Sequence, residues 1–120
     1  MKYLVMIYSN PTSRAVWDNF SDTEKAAGLK VYAALIEELA GTGELVVTEA
    51  LADPSYARRP GSLLPAGDGP YAEAKEHLAG FFLVDCADVD RALEIAARIP
   101  ESSYGLVEVR PTMTYEGMDV

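Results

Sequence analysis

The sequence predicts one α+β domain in which a four-stranded antiparallel sheet carries two helices on one face. Its 120 residues fit a single domain over residues 1–120. Hydrophobic residues make up 49% and charged residues 24% of the chain, which is typical of a globular protein. Segments of strand and helix character follow one another in the order β-α-β-loop-β-α-β. The predicted strands are residues 2–8, 44–51, 80–86 and 106–111, and the predicted helices are residues 21–40 and 88–100.

The first predicted helix is the best-defined element of the chain. Ser21 and Glu24 have the spacing of a capping box, in which each side chain satisfies a free backbone amide of the other residue. Gly41 and Gly43 follow the helix and supply a left-handed end. The expected apolar face consists of Ala27, Val31, Leu35 and Leu39, with Tyr32 and Ile36 beside them.

The second half of the chain begins with an irregular stretch. Residues 53–70 hold four of the seven prolines, which predicts a rigid, turn-rich loop with a short edge strand near residues 62–64. Residues 71–78 are expected to form one or two helical turns. Asp88 is expected to cap the second helix and Pro100 to end it. Its expected inward side chains are Val89, Leu93, Ala96, Ala97 and Ile99.

This order of elements is the split-βαβ, ferredoxin-like βαββαβ topology, with both helices on one face of the sheet. Residues 3–7 and 81–84 are nevertheless apolar on both sides of their strands. Because two helices cover one face, something else must cover the other, and a second copy of the chain is the simplest candidate. The pattern therefore favours a homodimer that packs sheet to sheet.

Charge and cysteine content argue against several classes of protein. The net charge is −9, which repels phosphate backbones and disfavours nucleic-acid binding. Cys86 is the single cysteine, which rules out an intrachain disulfide and suits a reducing compartment. The apolar run at the N-terminus is too short for a membrane span. We therefore expect a cytoplasmic protein with no cofactor and no membrane association.

Residues 68–82 read DGPYAEAKEHLAGFF and closely resemble the motif DGPFAETKEQLGGFY. That motif names the DGPF-domain branch of the YCII-related family. The likeness extends to the opening strand at residues 2–8, to the helix sequence DRALEIAARIP at residues 90–100 and to VEVRP at residues 107–111. It covers nearly the whole chain and implies a dimeric α/β-barrel of ferredoxin-like topology.

The resemblance implies two alternative functions. Some relatives in the wider family are enzymes that act on small ring-shaped substrates with a histidine and an aspartate. Their histidine lies in the first helix, whereas this chain has His77 alone, in the position of the motif glutamine. The first alternative is therefore a small-molecule-binding protein, or cryptic enzyme, with a pocket near Asp68-Gly69-Pro70. Genes of this branch often lie beside genes for alternative sigma factors, so the second is a non-enzymatic regulatory module that meets a protein partner.

Asp68 and His77 are the candidate catalytic residues. Asp68 precedes a Gly-Pro turn, so its carboxylate either bonds turn amides or serves as a ligand contact or general base. His77 is the side chain expected to titrate near neutral pH, and it approaches Asp68 if residues 69–76 fold back. Glu73 at i−4 would give His77 a second metal ligand, but two are too few, so no metal site is predicted.

Tyr71, Arg58 and Arg59 are the candidate ligand-binding residues. The arginine pair is the densest positive charge in an acidic chain, and it either steers an anionic ligand toward the loop or simply keeps the loop soluble. Tyr71 belongs to a set of aromatic side chains that either line a pocket or fill the core and the dimer interface. The other members of that set are Tyr8, Trp17 and Tyr32.

Overall fold

The computed structural model describes residues 1–61 and 76–116. The strands are β1 (Lys2–Ser9), β2 (Leu45–Ala50), β3 (His77–Asp85) and β4 (Val107–Pro111), and the helices are α1 (Pro11–Asp18), α2 (Asp22–Thr42) and α3 (Val89–Ala97). Short 3-10 helices, Pro54–Tyr56 and Pro100–Tyr104, precede β3 and β4. The predicted strand and helix order is confirmed, with α1 as an addition.

The sheet has the order β2-β3-β1-β4, and every neighbouring pair is antiparallel. This is the ferredoxin-like arrangement that the element order predicts. Helices α2 and α3 contribute their buried side chains to one core against one face of the sheet. The core side chains of β1 and β3 alternate along each strand, as a pleated backbone requires. They are Tyr3, Val5 and Ile7 on β1 and Phe82 and Val84 on β3.

Helix α3 presents a different face to the sheet from the one predicted. Leu93 is 51% exposed and Val89 46% exposed, and Ala97 is also exposed. The buried positions are Ala92, Ile95 and Ala96 on the helix and Ile99 after it. Both sets satisfy helical periodicity, and the observed one places small alanines where the helix approaches the strands. The prediction was therefore wrong for three of its five inward side chains, and correct for Ala96 and Ile99.

Helix α2 has the predicted cap but a shorter buried stripe. The Ser21 and Glu24 side chains accept each other's backbone N–H groups over 3.0–3.1 Å, which confirms the capping box. Leu35 and Leu39 are buried, whereas Ala27 and Val31 are exposed. The N-terminal half of α2 instead turns Gly28 and Tyr32 toward a cavity described below. Gly41 lies inside the helix, and Gly43 alone takes the left-handed conformation (φ 80°).

Helix α1 is the element that the sequence reading missed. Asn10 and Ser13 form a second capping box, and Pro11 occupies the first turn, where its missing N–H costs nothing. The strand β1 therefore ends where a helix begins, and not at a simple turn. None of the residues of α1 is buried, so its cap and its contact with α2 hold it in place.

Strand β3 begins earlier than predicted. It runs from His77, which pairs with Ser9 at the end of β1. His77 and Leu78 therefore do not belong to the helical turns expected at residues 71–78. Glu76 is described as well and is not helical. Residues 71–75 lie outside the described residues, as do Asp68 and the edge strand expected at residues 62–64.

The second face of the sheet carries apolar rows across its two central strands. Leu4 lies opposite Leu83, and Met6 lies opposite Phe81, on the face away from α2 and α3. Met6 is already buried within the chain, whereas Leu4, Phe81 and Leu83 are partly exposed. A homodimer through this face stays a prediction. Sedimentation at micromolar concentration should give about twice the 13.0 kDa chain mass. A stable monomer under those conditions would contradict sheet-to-sheet packing.

Candidate functional site

A cavity of about 1050 Å³ lies between the sheet and helices α1 and α2. Its walls are mainly apolar, with Ile7 and Phe82 from the sheet, Trp17 from α1, and Tyr32 and Ile36 from α2. The 3-10 helix before β4 closes one side. Ligand sites are typically apolar clefts of this size with a few polar groups at defined points. Trp17 and Tyr32 line it, as one of the two sequence interpretations predicts for them.

Two glycines lie in the cavity wall. Gly28 of α2 faces the Trp17 ring, and a Cβ atom at Gly28 would lie 3.4 Å from that ring. Gly80 of β3 faces β2, and a Cβ atom there would lie 3.0 Å from the Glu49 carbonyl oxygen. Because that neighbour is backbone, a side chain at residue 80 would push β2 away from β3. Both glycines line the cavity, but the close approach at Gly80 concerns the pairing of β2 with β3, and a Cβ at Gly28 would make an ordinary contact with Trp17.

A β-bulge shapes the adjoining part of the cavity wall. Ile7 pairs with Gly80 and Tyr8 pairs with Leu78, which leaves Ala79 as the extra residue. Bulges bend a strand and redirect its side chains, and they are frequent next to functional sites. Ile7 and Tyr8 both border the cavity at this point, but the Tyr8 hydroxyl donates to Met6 Sδ over 3.5 Å, so the Tyr8 side chain lies with Met6 and not with the core residue Ile7.

Arg14 and Asp53 supply opposite charges at one end of the cavity. Arg14 is half-buried on α1, and its Nη1 donates to Ser9 Oγ over 3.4 Å, a long and weak hydrogen bond. The Asp53 carboxylate accepts the Ser55 backbone N–H over 3.0 Å. That hydrogen bond lowers the pKa of Asp53, and the nearby charges of Arg14 and His77 lower it further. Asp53 is therefore ionised at neutral pH.

Tyr32 and Glu101 form a second polar pair on the cavity wall. The Tyr32 ring stacks on Phe82 with centroids 6.4 Å apart, and its hydroxyl donates a hydrogen bond to Glu101 Oε2. Burial raises the pKa of Tyr32 above its ordinary value, and the bond to Glu101 raises it further. Tyr32 is therefore a neutral donor to Glu101 throughout the usual pH range.

His77 lines a smaller depression of about 340 Å³ beside the main cavity. Asp53 lines both, so the two are neighbours. The structure thus brings His77 near a carboxylate, Asp53, that the sequence reading did not select. The predicted partner Asp68 lies outside the described residues, as does Tyr71, and their roles stay predictions.

Arg58 and Arg59 lie on the exposed loop that follows the first 3-10 helix. Arg58 Nη1 donates to the backbone carbonyl oxygens of Ser55 and Ala57. Neither arginine is among the described residues that line the main cavity. Arg14 takes that place instead. A ligand contact at Arg58 or Arg59 stays a prediction.

Three polar residues of the cavity were missed by the sequence reading. Arg14 follows an Asn-Pro helix start, Asp53 precedes a proline as the cap of a 3-10 helix, and Glu101 follows Pro100. Each therefore lies near a helix start that a proline marks, and Asp53 is itself the cap. Their convergence depends on tertiary contacts, which no local signal contains.

Within residues 1–61 and 76–116, no group of three or more His, Cys, Asp or Glu side chains is arranged to hold a metal ion. No helix in that part of the chain has the length and apolar character needed to cross a membrane.

Comparisons with known proteins agree with the fold. A family model for the YCII-related domain matches residues 1–116. An uncharacterized protein of Rhizobium meliloti (strain 1021) is 33% identical over 121 residues, which cover 97% of this chain and 95% of that protein. Among solved structures, a 5-chloro-2-hydroxyhydroquinone dehydrochlorinase from Burkholderia phenoliruptrix AC1100, in complex with 2,5-dihydroxybenzoquinone, has a similar fold. The TM-score is 0.53 and the identity 17%, with 97% of each chain covered, so this likeness concerns the fold alone.

Proposed function

The chain belongs to the YCII-related domain family, and we propose that it binds a small ring-shaped molecule in the cavity between its sheet and helices α1 and α2. Its place in the DGPF branch of that family rests on the motif at residues 68–82 and is part of the proposal. The observation that carries the proposal is the cavity itself, about 1050 Å³ with mainly apolar walls. Such a volume holds a substituted ring, and the aromatic walls suit a flat apolar body.

Arg14 is the proposed contact for an acidic or carbonyl oxygen of that molecule. Its guanidinium has five N–H donors. Among the described residues it makes one hydrogen bond, the long one to Ser9 Oγ. A half-buried arginine with spare donors binds carboxylate or phenolate oxygens well, because such hydrogen bonds are charge-assisted. The neighbouring Asp53 carries the opposite charge, so this end of the cavity attracts a free anion only weakly. Contact with the apolar walls is then needed for binding, which favours a ligand that has a ring.

Binding should be measurable with a panel of ring compounds. The panel contains 2,5-dihydroxybenzoquinone, which is the molecule bound to the structurally similar dehydrochlorinase, and several hydroxybenzoates. Calorimetry gives the affinity, and the fluorescence of Trp17, the one tryptophan of the chain, reports on the cavity wall. We expect Arg14→Gln to weaken binding of an acidic ring compound at least tenfold, about 1.4 kcal/mol.

Two variants make that measurement specific. Lys30→Gln removes a positive charge from an exposed position of α2 outside the cavity lining, and it should leave the affinity within about twofold. Arg58→Gln tests the anion contact that the sequence predicts on the loop. Equal losses in all three variants would indicate that overall charge, and not the cavity, governs binding. No binding by any compound of the panel would contradict the proposed function.

The turn at Asp68 is proposed to contribute to the same binding event. Asp68→Asn keeps the shape of the side chain and removes its charge. If Asp68 is a ligand contact or a base, folding should survive while affinity or turnover falls at least tenfold, about 1.4 kcal/mol. If it only holds the turn, binding should persist and the free energy of unfolding should fall by roughly 1 kcal/mol. His77→Gln restores the residue usual in the motif and should be nearly neutral for folding.

A cryptic enzymatic activity is compatible with this proposal, since the similar solved structure is that of an enzyme. Incubation of the protein with each compound of the panel, followed by absorption spectra, tests for turnover directly. The alternative function, a regulatory module associated with an alternative sigma factor, finds no support in the described residues or in the comparisons.

A further inference from the structure

In the Tyr32–Glu101 pair, Tyr32 is the hydrogen-bond donor and Glu101 is the acceptor. The stack on Phe82 holds the Tyr32 ring in place. Glu101 is held by the 3-10 helix, where its backbone carbonyl oxygen accepts the Leu106 N–H over 3.1 Å. The single Tyr32 hydroxyl proton points to Glu101 Oε2. The Tyr32 oxygen and the remaining lone pairs of the carboxylate are therefore left with accepting capacity only.

We propose that this pair is a subsite for a hydrogen-bond donor, a hydroxyl or amino group carried on the ring of the bound molecule. The inference rests on the proposed function and adds the polarity of the ligand to it. Both residues line the cavity, so the edge of a ring held there against Trp17 can meet the pair. A carboxylate, a carbonyl or a halogen at the same point would meet only acceptors and would leave them without a partner.

The two polar groups of the cavity differ in what they offer a ligand: one supplies hydrogen-bond donors and the other supplies acceptors. The Arg14 guanidinium offers donors, near Ser9 at the end of β1 and close to Asp53 beyond the end of β2. Glu101 offers acceptors from the 3-10 helix that leads into β4. Arg14 reaches the cavity from α1 and Glu101 from the 3-10 helix, so the two groups border it from different elements. A ring with an acidic oxygen on one side and a hydroxyl on the other matches both.

The alternative role for the pair is purely structural, as a tie between α2 and the 3-10 helix. Such a tie predicts lower stability for variants of either residue, with no dependence of binding on the ligand's hydroxyl. A donor subsite predicts a dependence on the ligand. The hydrogen bond from a ligand hydroxyl to a pair that includes a carboxylate should favour it about 10- to 100-fold over a group that cannot donate.

The test compares 4-hydroxybenzoate with 4-fluorobenzoate, which are similar in size and differ in the donated proton. Calorimetry on the wild-type chain should show the hydroxyl compound binding at least tenfold more tightly. Glu101→Gln removes the carboxylate and presents an amide donor to the cavity, and should reduce that ratio to about threefold or less. Tyr32→Phe keeps the ring stack and leaves the Glu101 carboxylate as an acceptor, so the hydroxyl compound should still bind more tightly.

Tyr104→Phe is the matched control. Tyr104 lies in the same 3-10 helix and lines the same cavity, so the change removes a phenol oxygen that does not belong to the pair. The ratio should stay as in the wild type. A wild-type ratio near one, or an undiminished ratio in folded Glu101→Gln, would overturn the donor subsite while leaving the cavity proposal intact. Failure of both benzoates and of the whole earlier panel to bind would instead contradict the proposed function, and the subsite with it.

Discussion

Replacing Ile95 by alanine should lower the free energy of unfolding by about 3 kcal/mol. Ile95 is fully buried on α3, within the core that α2, α3 and the sheet share. Truncation of such a side chain loses the transfer free energy of the deleted methyl and methylene groups and leaves a cavity that the surroundings fill only in part. Urea unfolding at fixed protein concentration measures the loss, provided that the slope of the transition is unchanged.

Leu93→Ala is the matched comparison on the same helix. Leu93 is 51% exposed, so its truncation should cost less than about 0.5 kcal/mol. The sequence pattern predicts the opposite, because it places Leu93 inward. A loss of similar size in both variants would contradict the observed orientation of α3, or would show that Leu93 is covered in solution by another copy of the chain.

The fold was largely predictable because its strongest signals are local. The Ser21 capping box, the apolar runs of β1 and β3 and the alternation in β4 each define an element from neighbouring residues alone. Helix α1 was missed although Asn10 and Pro11 carry a cap signal, since the same residues also end a strand. The face of α3 was predicted wrongly because two sets of apolar residues share one period, and tertiary packing selects between them.

The sequence predicted the aromatic character of the candidate site but not its charged residues. An aromatic pocket was one interpretation of Trp17 and Tyr32, and both line the cavity. Arg14 and Glu101 were not selected, because isolated charged residues on an acidic chain are usually solvated surface. Their proximity to the cavity follows from the sheet order and from the chain reversals at Asn10 and Pro100. Those contacts join residues far apart in the sequence, so no local pattern contains them.

Acidification should remove the stabilisation that comes from the Glu44–Arg91 ion pair. Arg91 Nε donates to Glu44 Oε2 and Nη2 donates to Oε1, both over 2.9 Å, so the pair is bidentate. It joins the start of α3 to the residue before β2, and the Glu44 side chain is only 17% exposed. The Arg91 hydrogen bonds hold the pKa of Glu44 at about 2, and the Thr42 hydroxyl contributes to the same effect. Glu44 therefore stays ionised in the folded chain far below neutral pH.

The sign of the pH dependence follows from that lowered pKa. In the unfolded chain Glu44 should titrate near its ordinary value of about 4.3. The stabilisation is therefore complete above about pH 5 and is lost as the pH falls through about 2. Glu44→Gln should cost about 2 kcal/mol near neutral pH, and the difference from the wild type should shrink to about half by pH 3.

Glu38→Gln supplies the control for that measurement. Glu38 and Arg98 also form an ion pair, but their side chains are 48% and 44% exposed, so solvent screens the interaction. Its loss should cost below about 0.5 kcal/mol and should change little with pH. Urea unfolding of both variants at several pH values gives the comparison. A Glu44→Gln cost that stays constant down to pH 2 would show that the side chain contributes through packing, and that the ionised pair with Arg91 does not stabilise the fold.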